Sequence, residues 1–298
     1  METNKLEKIL LDSFNKNTYD NFFKEVYEYS LVPAGKLFRP KLVYAIASDF
    51  NNDFSNDHQL LASLVEIHHT YTLMHDDLPS MDDDKTRRGR ASSHIKFSEW
   101  QALLAGDGLL NTSYSLMAQM ETNKLRELLK YVSWCLGPKG LILGQALDLS
   151  GEMTKSFSNT RLTHELKTAR LIQASLVGSL ILCRQDYQLS KYKSLHLFGK
   201  HLGLLFQFID DLTELSEKEL SDHESKVNPW PKNNEKCFDQ ISHSLKYIRR
   251  YLSENKTPML EEIVNEYLKK MKTSLEKSSD IIEGHLNRSL NPAISLLD

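Results

Sequence analysis

The sequence is poor in the residues that interrupt helices, with 12 glycines and 8 prolines among 298 residues. Both types disfavour the interior of an α-helix, and the alternation typical of strands is hardly visible. The three cysteines, Cys135, Cys183 and Cys237, form no CxxC pair, which argues against a zinc cluster and a disulfide framework. These scarcities favour a helical protein of a reducing compartment, and we predict a cytoplasmic location.

An excess of charge of one sign is also lacking, since the formal net charge is −3 and the pI is about 6.4. The chain therefore has no overall positive field that would indicate a nucleic-acid partner. The most apolar run, residues 171–183, contains Gln and Ser and is shorter than the roughly 20 residues that span a bilayer. We expect a buried helix there, no membrane span, and no secretion signal in the polar amino terminus.

Apolar residues recur at helical spacing, as in LLASLVEIHHTYTLMHDD at residues 60–77, and predict an all-α fold. Breaks are predicted where glycine, proline and small polar residues cluster, at residues 31–35, 50–57, 77–84, 136–140, 150–159 and 221–234. About eight or nine helices fit between them. Because no low-complexity linker or repeat divides the chain, we predict one helical domain over residues 1–298, with its cavity between helices.

Five aspartates and four cations crowd into residues 73–90, LMHDDLPSMDDDKTRRGR. Pro79 lacks an amide donor and predicts a helix end near Asp77, at the negative end of the helix dipole. Carboxylates there require a cation, and hard divalent ions such as Mg²⁺ prefer oxygen ligands. The arginines that follow match phosphate oxygens, so this segment predicts a site for a metal and a phosphate.

A second acidic cluster interrupts an apolar helix in GLLFQFIDDLTEL, residues 203–215. The four-residue step from Asp210 to Glu214 puts both carboxylates on one face, with Gln207 one turn earlier. A single acidic cluster is most often a solvated helix end. Two such clusters in apolar helices, more than a hundred residues apart, favour metal-diphosphate chemistry.

Together these motifs resemble the trans-type polyprenyl diphosphate synthases, and within that family most resemble the bacterial farnesyl diphosphate synthases. DDLPSMD followed by RRG is similar to the first aspartate-rich motif of the family, DD-x-x-x-x-D with RRG. AGKLFRP at residues 34–40 resembles the segment that holds isopentenyl diphosphate, and LAGDGLL, GQALDL and Lys167-Thr168 also match. Gln145 and Asp148 of GQALDL are left open between a structural role and a site role.

The resemblance implies an all-α enzyme that joins isopentenyl diphosphate to dimethylallyl or geranyl diphosphate and forms farnesyl diphosphate by ionisation, condensation and elimination. It also implies three Mg²⁺ ions per site and a homodimer. The implied metal ligands are Asp76, Asp77, Asp82, Asp210, Asp211 and Glu214. The implied substrate ligands are Gly35, Lys36, Arg39, His69, Arg87, Arg88, Lys167, Thr168 and Gln207. The implied catalytic residues are Asp76, Asp82, Arg87, Lys167 and Asp210.

Tyr71 is the predicted determinant of product length. It lies five residues before Asp76, which is roughly 7 Å deeper along a helix that rises 1.5 Å per residue. An aromatic ring there, together with the Leu-Pro type insertion in the aspartate motif, resembles the short-chain bacterial enzymes. We therefore expect Tyr71 to form the floor that stops the product at fifteen carbons.

Two departures from the family pattern leave alternatives open. DDLTE replaces the usual DD-x-x-D, and residues 219–233 replace a lysine-rich loop, with Lys226 as the candidate substitute. These changes keep open a catalytically weak or regulatory paralogue or subunit, and a geranylgeranyl or longer-chain synthase is a further alternative. A di-iron bundle is disfavoured, because the E-x-x-H step from Glu66 to His69 has no second counterpart.

Overall fold

The computed structural model describes residues 3–51, 53–216 and 224–297. Within these residues the regular secondary structure is almost entirely helical, as predicted. The helices are α1 Thr3–Asn15, α2 Lys24–Leu31, α3 Phe38–Asn51, α4 Asn56–Asp76, α5 Ser93–Lys96, α6 Glu99–Ala118, α7 Leu125–Leu136, α8 Leu141–Leu149, α9 Phe157–His164, α10 Arg170–Leu182, α11 Leu189–Glu214, α12 Glu224–Val227, α13 Trp230–Asn255, α14 Pro258–Leu286 and α15 Asn291–Leu296. A 3-10 turn spans Glu152–Lys155, and a π-helical stretch, Glu165–Ala169, joins α9 to α10.

Most predicted breaks coincide with helix ends: α2, α3, α4, α7 and α8 all end at or within a residue of one. The predicted count of eight or nine helices is wrong. Further breaks occur at residues 16–23, 119–124, 183–188, 256–257 and 287–290, which contain neither glycine nor proline. At two of them a lysine or an asparagine takes the left-handed conformation, Lys256 and Asn287, each with φ of 49°. The last predicted break contains α12, and its residues 221–223 lie outside the described residues.

No helix in the described parts of the chain combines the length and the apolarity needed to cross a membrane. The apolar run at residues 171–183 lies in α10 up to Leu182 and is buried, as predicted.

Contacts divide the chain into two compact units, Met1–Tyr131 with Gly178–Gln185, and Val132–Val177 with Asp186–Asp298. The first unit is built around α4, which packs against α1, α3 and α6. Ser55 caps α4 by accepting a hydrogen bond from the His58 amide, and Leu61 and Val65 are fully buried. The single domain over residues 1–298 stays a prediction.

The second unit is built around α11, which packs against the π-helical stretch, α13 and α14. Leu204, Phe208 and Leu212 on α11 have no exposed surface. Trp230, also fully buried, donates from its indole Nε1 to the Phe208 carbonyl at 2.7 Å. The apolar helix that carries the second acidic cluster is therefore part of this unit's core.

A short hairpin follows the first aspartate-rich segment and was not predicted. Strand β1, Thr86–Arg87, pairs antiparallel with β2, Arg90–Ala91. The turn residues Arg88 and Gly89 both have positive φ, 53° and 74°, as two-residue hairpin turns of type I′ require. Strands of two residues are too short to show alternation, so the signal available in the sequence was the glycine of RRGR.

Candidate functional site

The carboxyl end of α4 and the loop that follows it carry the first acidic set, by which we mean the aspartates of residues 76–84. The Asp77 amide donates to the Leu73 carbonyl at 3.0 Å and ends the helix. The chain then turns, and the Asp82 amide donates to the Asp76 carbonyl at 2.9 Å. The loop therefore folds back beside the helix end, which lies near Asp77 as Pro79 predicted.

Arg87 is bound inside the first acidic set. It donates to Asp77 Oδ1 from Nε at 2.9 Å and from Nη2 at 2.5 Å, and to Asp84 Oδ2 at 2.6 Å. Asp77 is buried, and burial raises its pKa although the hydrogen bond from Arg87 pulls the other way. In this structure Arg87 and Asp77 thus bind each other and hold the loop.

Arg88 lies beside the segment that resembles an isopentenyl diphosphate cradle. Its Nη1 donates to the carbonyls of Ser30 and Pro33, both at 3.4 Å. Its Nη2 is 3.8 Å from Glu66 Oε1. A Cβ atom on Gly35 would lie 3.1 Å from Nη2, so glycine at this position lets the guanidinium approach the backbone.

Glu66 and His69 face the arginines from α4. Burial raises the pKa of Glu66, and the charges of Arg39 and Arg88 oppose that shift. Burial and the same arginines lower the pKa of His69 well below its usual value, so His69 is a neutral hydrogen-bonding group. Sequence reasoning missed Glu66 as a site residue because it weighed this glutamate solely within the E-x-x-H step. The Lys36 side chain is exposed.

Tyr71 lies in a ladder of rings on α4. It is 4% exposed and makes edge contacts with His68 and His75, at 4.6 and 5.6 Å between ring centroids. Burial raises the pKa of its hydroxyl. Gly106 on α6 makes room for this ladder, because a Cβ there would lie 2.2 Å from His75 Nε2.

The second acidic set is linked by hydrogen bonds within the second unit. Thr168 Oγ1 donates to Gln207 Oε1 at 2.6 Å, and Gln207 Nε2 donates to Asp211 Oδ1 at 2.8 Å. Lys167 Nζ donates to Asp148 Oδ2. The structure therefore gathers the predicted residues Lys167, Thr168, Gln207 and Asp211, and gives Asp148 a partner that the sequence left open.

Asp211 is the buried member of this set. Burial raises its pKa well above the usual value, and the nearby charges of Glu214 and Asp210 act in the same direction. Its Oδ2 lies 3.4 Å from His164 Nε2, and burial lowers the pKa of His164 to about 3, so that ring is neutral. Asn228 donates to the Asp211 carbonyl at 2.6 Å. His164 and Asn228 were missed because neither belongs to a recognisable motif.

The carboxylate oxygens of the second acidic set suit a hard divalent cation. Among the described residues, Asp211 Oδ2 is buried without a hydrogen-bond donor, and positive charge would offset the repulsion between the neighbouring carboxylates. In the described ranges no three carboxylate, imidazole or thiolate groups are already gathered as a metal site. Mg²⁺ suits such incomplete sets, because it takes few carboxylates and keeps water and phosphate oxygens as its other ligands.

The two departures noted in the sequence fall next to this set. Glu214 Oε2 accepts a hydrogen bond from Asn228 Nδ2 at 3.5 Å. Lys226 is exposed on α12. Residues 217–223, which include the first five residues of the segment that replaces the family's lysine-rich loop, lie outside the described residues.

The fold and the two sets define an all-helical protein in which an acidic set lies next to cationic or amide donors in each unit. Residues 20–226 match the family described as polyprenyl synthetase. The chain belongs to the polyprenyl synthetase family, which confirms the family predicted from the motifs.

Named relatives agree with this assignment. The chain is 34% identical over 202 residues to a farnesyl diphosphate synthase of Geobacillus stearothermophilus, covering 66% of this chain and 67% of the relative. It is 35% identical over 200 residues to a chloroplastic geranylgeranyl pyrophosphate synthase of Catharanthus roseus, covering 65% of this chain and 55% of the relative. A geranyltransferase from Helicobacter pylori, crystallised with magnesium and isoprenyl diphosphate, superposes with a TM-score of 0.72 at 29% identity, covering 87% and 95% of the two chains.

Proposed function

We propose that this chain is a prenyltransferase of the farnesyl diphosphate synthase type, which joins isopentenyl diphosphate to an allylic diphosphate and releases pyrophosphate. The names of its relatives agree with the activity predicted from the sequence. The observation that carries the proposal is the arrangement around α4, where the neutral His69 and Glu66 lie on the same helix as the aspartate-rich carboxyl end and face the charges of Arg39 and Arg88.

The isopentenyl diphosphate is held by the first unit's cationic cradle. Arg39 and Arg88 supply fixed positive charge, and guanidinium groups fit phosphate oxygens in bidentate fashion. His69 stays neutral next to them, so it hydrogen-bonds a phosphate oxygen without adding charge. Gly35 and Lys36 complete the cradle at the turn before α3, the first by allowing close approach and the second by the ammonium group of its exposed side chain.

The allylic diphosphate is bound by hydrogen-bond donors that can stabilise the negative charge that develops on the leaving group. Arg87 and Lys167 donate to its oxygens, and Thr168 and Gln207 orient the carboxylates beside it. As the carbon–oxygen bond breaks, these donors stabilise the negative charge that builds up on pyrophosphate. The isopentenyl double bond then attacks the allylic carbon, and the departing pyrophosphate accepts the proton that is lost.

Asp76 and Asp82 of the first set, and Asp210, Asp211 and Glu214 of the second, are the proposed ligands of Mg²⁺. Bound Mg²⁺ neutralises the diphosphate and lowers the barrier to its departure. In this proposal Asp77 contributes by holding Arg87, with which it is already paired. A magnesium-bound homologue supports the choice of metal, and we propose three ions per site.

Product length follows from Tyr71. Its buried ring, between His68 and His75 on the same helix, is the proposed end of the chain-binding pocket. We propose farnesyl diphosphate, with fifteen carbons, as the product. The alternative is a geranylgeranyl or longer-chain synthase, and the similarity to the Catharanthus roseus enzyme makes product length the property to measure.

The test is an assay of pyrophosphate release with geranyl and isopentenyl diphosphates, followed by chromatography of the dephosphorylated products. We expect turnover that requires Mg²⁺ and a fifteen-carbon product. Asp76→Asn and Asp82→Asn should each lower kcat by roughly 10²-fold or more, since each removes a proposed carboxylate ligand of the Mg²⁺ that offsets the charge of the leaving group. Asp280→Asn, which changes an exposed aspartate of α14, is the matched control. Absence of turnover by the wild-type protein would favour the regulatory paralogue or subunit.

Two finer features belong to the same proposal. We propose that the chain acts as a homodimer, as its resemblance to the family implies, and that it acts in the cytoplasm. Sedimentation equilibrium of the purified protein tests the first, and cell fractionation tests the second.

A further inference from the structure

Residues 157–182 run as one continuous helix through α9, the π-helical stretch and α10. Within the stretch, the Arg170 amide donates to the Glu165 carbonyl, five residues earlier, where an α-helix would use the carbonyl four residues earlier. Such wide turns inside α-helices are frequent at functional sites. Here the wide turn contains Lys167, which the proposed function places on the allylic diphosphate, and Thr168, which it places next to the carboxylates beside that diphosphate.

The wide turn is enclosed by two glycines. A Cβ atom on Gly144 of α8 would lie 2.3 Å from the Lys167 amide nitrogen, and one on Gly203 of α11 would lie 2.3 Å from the Ala169 Cβ. Both distances are below any real contact. The backbone of the turn therefore contacts the backbones of two neighbouring helices directly and has little room to move.

This enclosure gives consecutive side chains different partners. Lys167 donates to Asp148 on α8, whereas Thr168 donates to Gln207 on α11. Since Gln207 in turn donates to Asp211, the position of the wide turn decides where the Lys167 ammonium group meets Asp148 and where the Thr168 hydroxyl group joins the hydrogen bonds that lead to Asp211.

Glu165, the first residue of the turn, is held by two cations. Its Oε1 lies 3.2 Å from Arg170 Nη2, and its Oε2 lies 2.6 Å from Lys200 Nζ on α11. The side chains of Glu165 and Arg170 are 13% and 9% exposed, so this pairing is shielded from solvent and is weakened little by salt. The three residues form a charge clamp, by which we mean Glu165 with Arg170 and Lys200.

Arg170 is itself fixed on both sides. Its guanidinium lies 4.2 Å from the ring centroid of Trp134, a cation–π geometry, and its Nη1 donates to Gln173 Oε1 at 3.0 Å. The clamp therefore ties the start of the wide turn to its end, through Arg170, and to α11, through Lys200.

We infer that Glu165, Arg170 and Lys200 are positioning residues for the allylic diphosphate, because their charge clamp holds the wide turn that aims Lys167 and Thr168. This inference rests on the proposed function. In the proposed function, none of the three clamp residues contacts the substrate. They act by holding the wide turn in place. Removing the clamp changes the binding of the allylic substrate and leaves the isopentenyl cradle of the first unit unchanged.

The test compares Glu165→Gln and Lys200→Gln with the wild-type protein. We expect each to raise the KM for geranyl diphosphate or lower kcat so that kcat/KM falls roughly 10- to 100-fold, the range expected for misplaced binding groups, while the KM for isopentenyl diphosphate stays within about twofold. Lys200→Arg keeps a cation on Glu165 and should restore most of the loss. Glu254→Gln, which removes the partner of Arg250 in an exposed pair, is the matched control and should leave both constants unchanged.

A second measurement does not require turnover. Amide hydrogen exchange of the peptide that covers residues 163–170 should be at least several-fold faster in Glu165→Gln and Lys200→Gln than in the wild-type protein and in Glu254→Gln. If Glu165→Gln does not fold, Lys200→Gln carries the test, because Lys200 is 26% exposed and its loss is milder. Wild-type exchange in both clamp variants, or unchanged constants for geranyl diphosphate, would overturn the inference. A wild-type protein without turnover would overturn the proposed function, and exchange alone would then decide whether the clamp holds the turn.

Discussion

The role proposed for a single side chain in this protein depends on the residues that it contacts. Asp76, Asp82 and Arg87 were predicted from spacing and from residue type. The pairing of Arg87 with Asp77 was not, because sequence distance does not reveal which of five neighbouring aspartates a guanidinium reaches. His164 and Asn228 were missed for a related reason, since a buried residue outside any motif carries no pattern of its own, whereas Glu66 was weighed solely within the E-x-x-H step.

Tyr71→Ala should shift the product distribution to longer chains when isopentenyl diphosphate is in excess. The reason is that the ring, 4% exposed on α4, would no longer close the pocket that Tyr71 is proposed to end. Chromatography of the dephosphorylated products measures the change. Tyr19→Ala removes a tyrosine that is 87% exposed and should leave the distribution as it is. An unchanged distribution in Tyr71→Ala would remove this residue as the floor.

His196 should make folding stability depend on pH. Burial, followed by the charges of Arg170 and Lys200, lowers its pKa from 6.5 to about 4, while Glu165 opposes the shift. Because the folded state disfavours the charged ring, the contribution of His196 is fully present above pH 6.5 and is lost as pH falls toward about 4. In urea unfolding over this range, His196→Gln should lose less stability on acidification than the wild-type protein. Equal losses would contradict the assignment.

Among the helices and strands, those with strong periodicity or clear breakers were predictable. Pro79 and LGPKG, residues 136–140, correctly indicated the ends of α4 and α7. The breaks at 119–124 and 183–188 were not predictable from glycine or proline, because polar residues form them. The β1–β2 hairpin and the wide turn at Glu165–Ala169 depend on tertiary packing, which local spacing does not encode.

The hairpin turn offers a paired test of backbone conformation. A Cβ added at Gly89 or at Gly284 would meet no atom within 4 Å, but Gly89 has φ of +74° whereas Gly284 lies within α14. Gly89→Ala should therefore lower the free energy of unfolding by about 1–2 kcal/mol, the cost of a left-handed alanine. Gly284→Ala should raise it by about 0.5–1 kcal/mol.

Urea denaturation of both variants measures these two changes against the wild-type protein. Since neither substitution changes a contact, the sign of each effect depends on backbone conformation alone. Destabilisation of similar size in both variants would contradict the assigned conformations.

For the whole molecule, the sequence predicted the family, the helical class and the absence of a long apolar span more securely than the internal organisation. One domain was predicted from the lack of a linker and stays a prediction; contacts group the chain into two compact units, with one boundary between them inside α10. A boundary inside a continuous helix has no signature in composition, which explains why it was not expected.

Mg²⁺ and inorganic pyrophosphate together should stabilise the whole chain against heat. A ligand that binds only the folded state, present at a hundred times its dissociation constant, adds about 2.7 kcal/mol to the free energy of unfolding. The melting temperature should therefore rise by several degrees. Differential scanning fluorimetry measures this rise in melting temperature. Asp280→Asn should behave like the wild-type protein, whereas Asp76→Asn and Asp210→Asn should lose most of the shift. An equal shift with pyrophosphate and a chelator would exclude metal-dependent binding.

The ion pairs of Arg87 with Asp77 and Asp84 have a consequence for the thermodynamics of ligand association. A loop that is already fastened to its helix loses little conformational entropy when an ion arrives, because its backbone has been ordered during folding. Calorimetric titration should then show a small heat-capacity change for the first ion. Loosening the loop through Asp84→Ala should weaken affinity mainly through an entropic term, although the carboxylates proposed to hold the ion are intact.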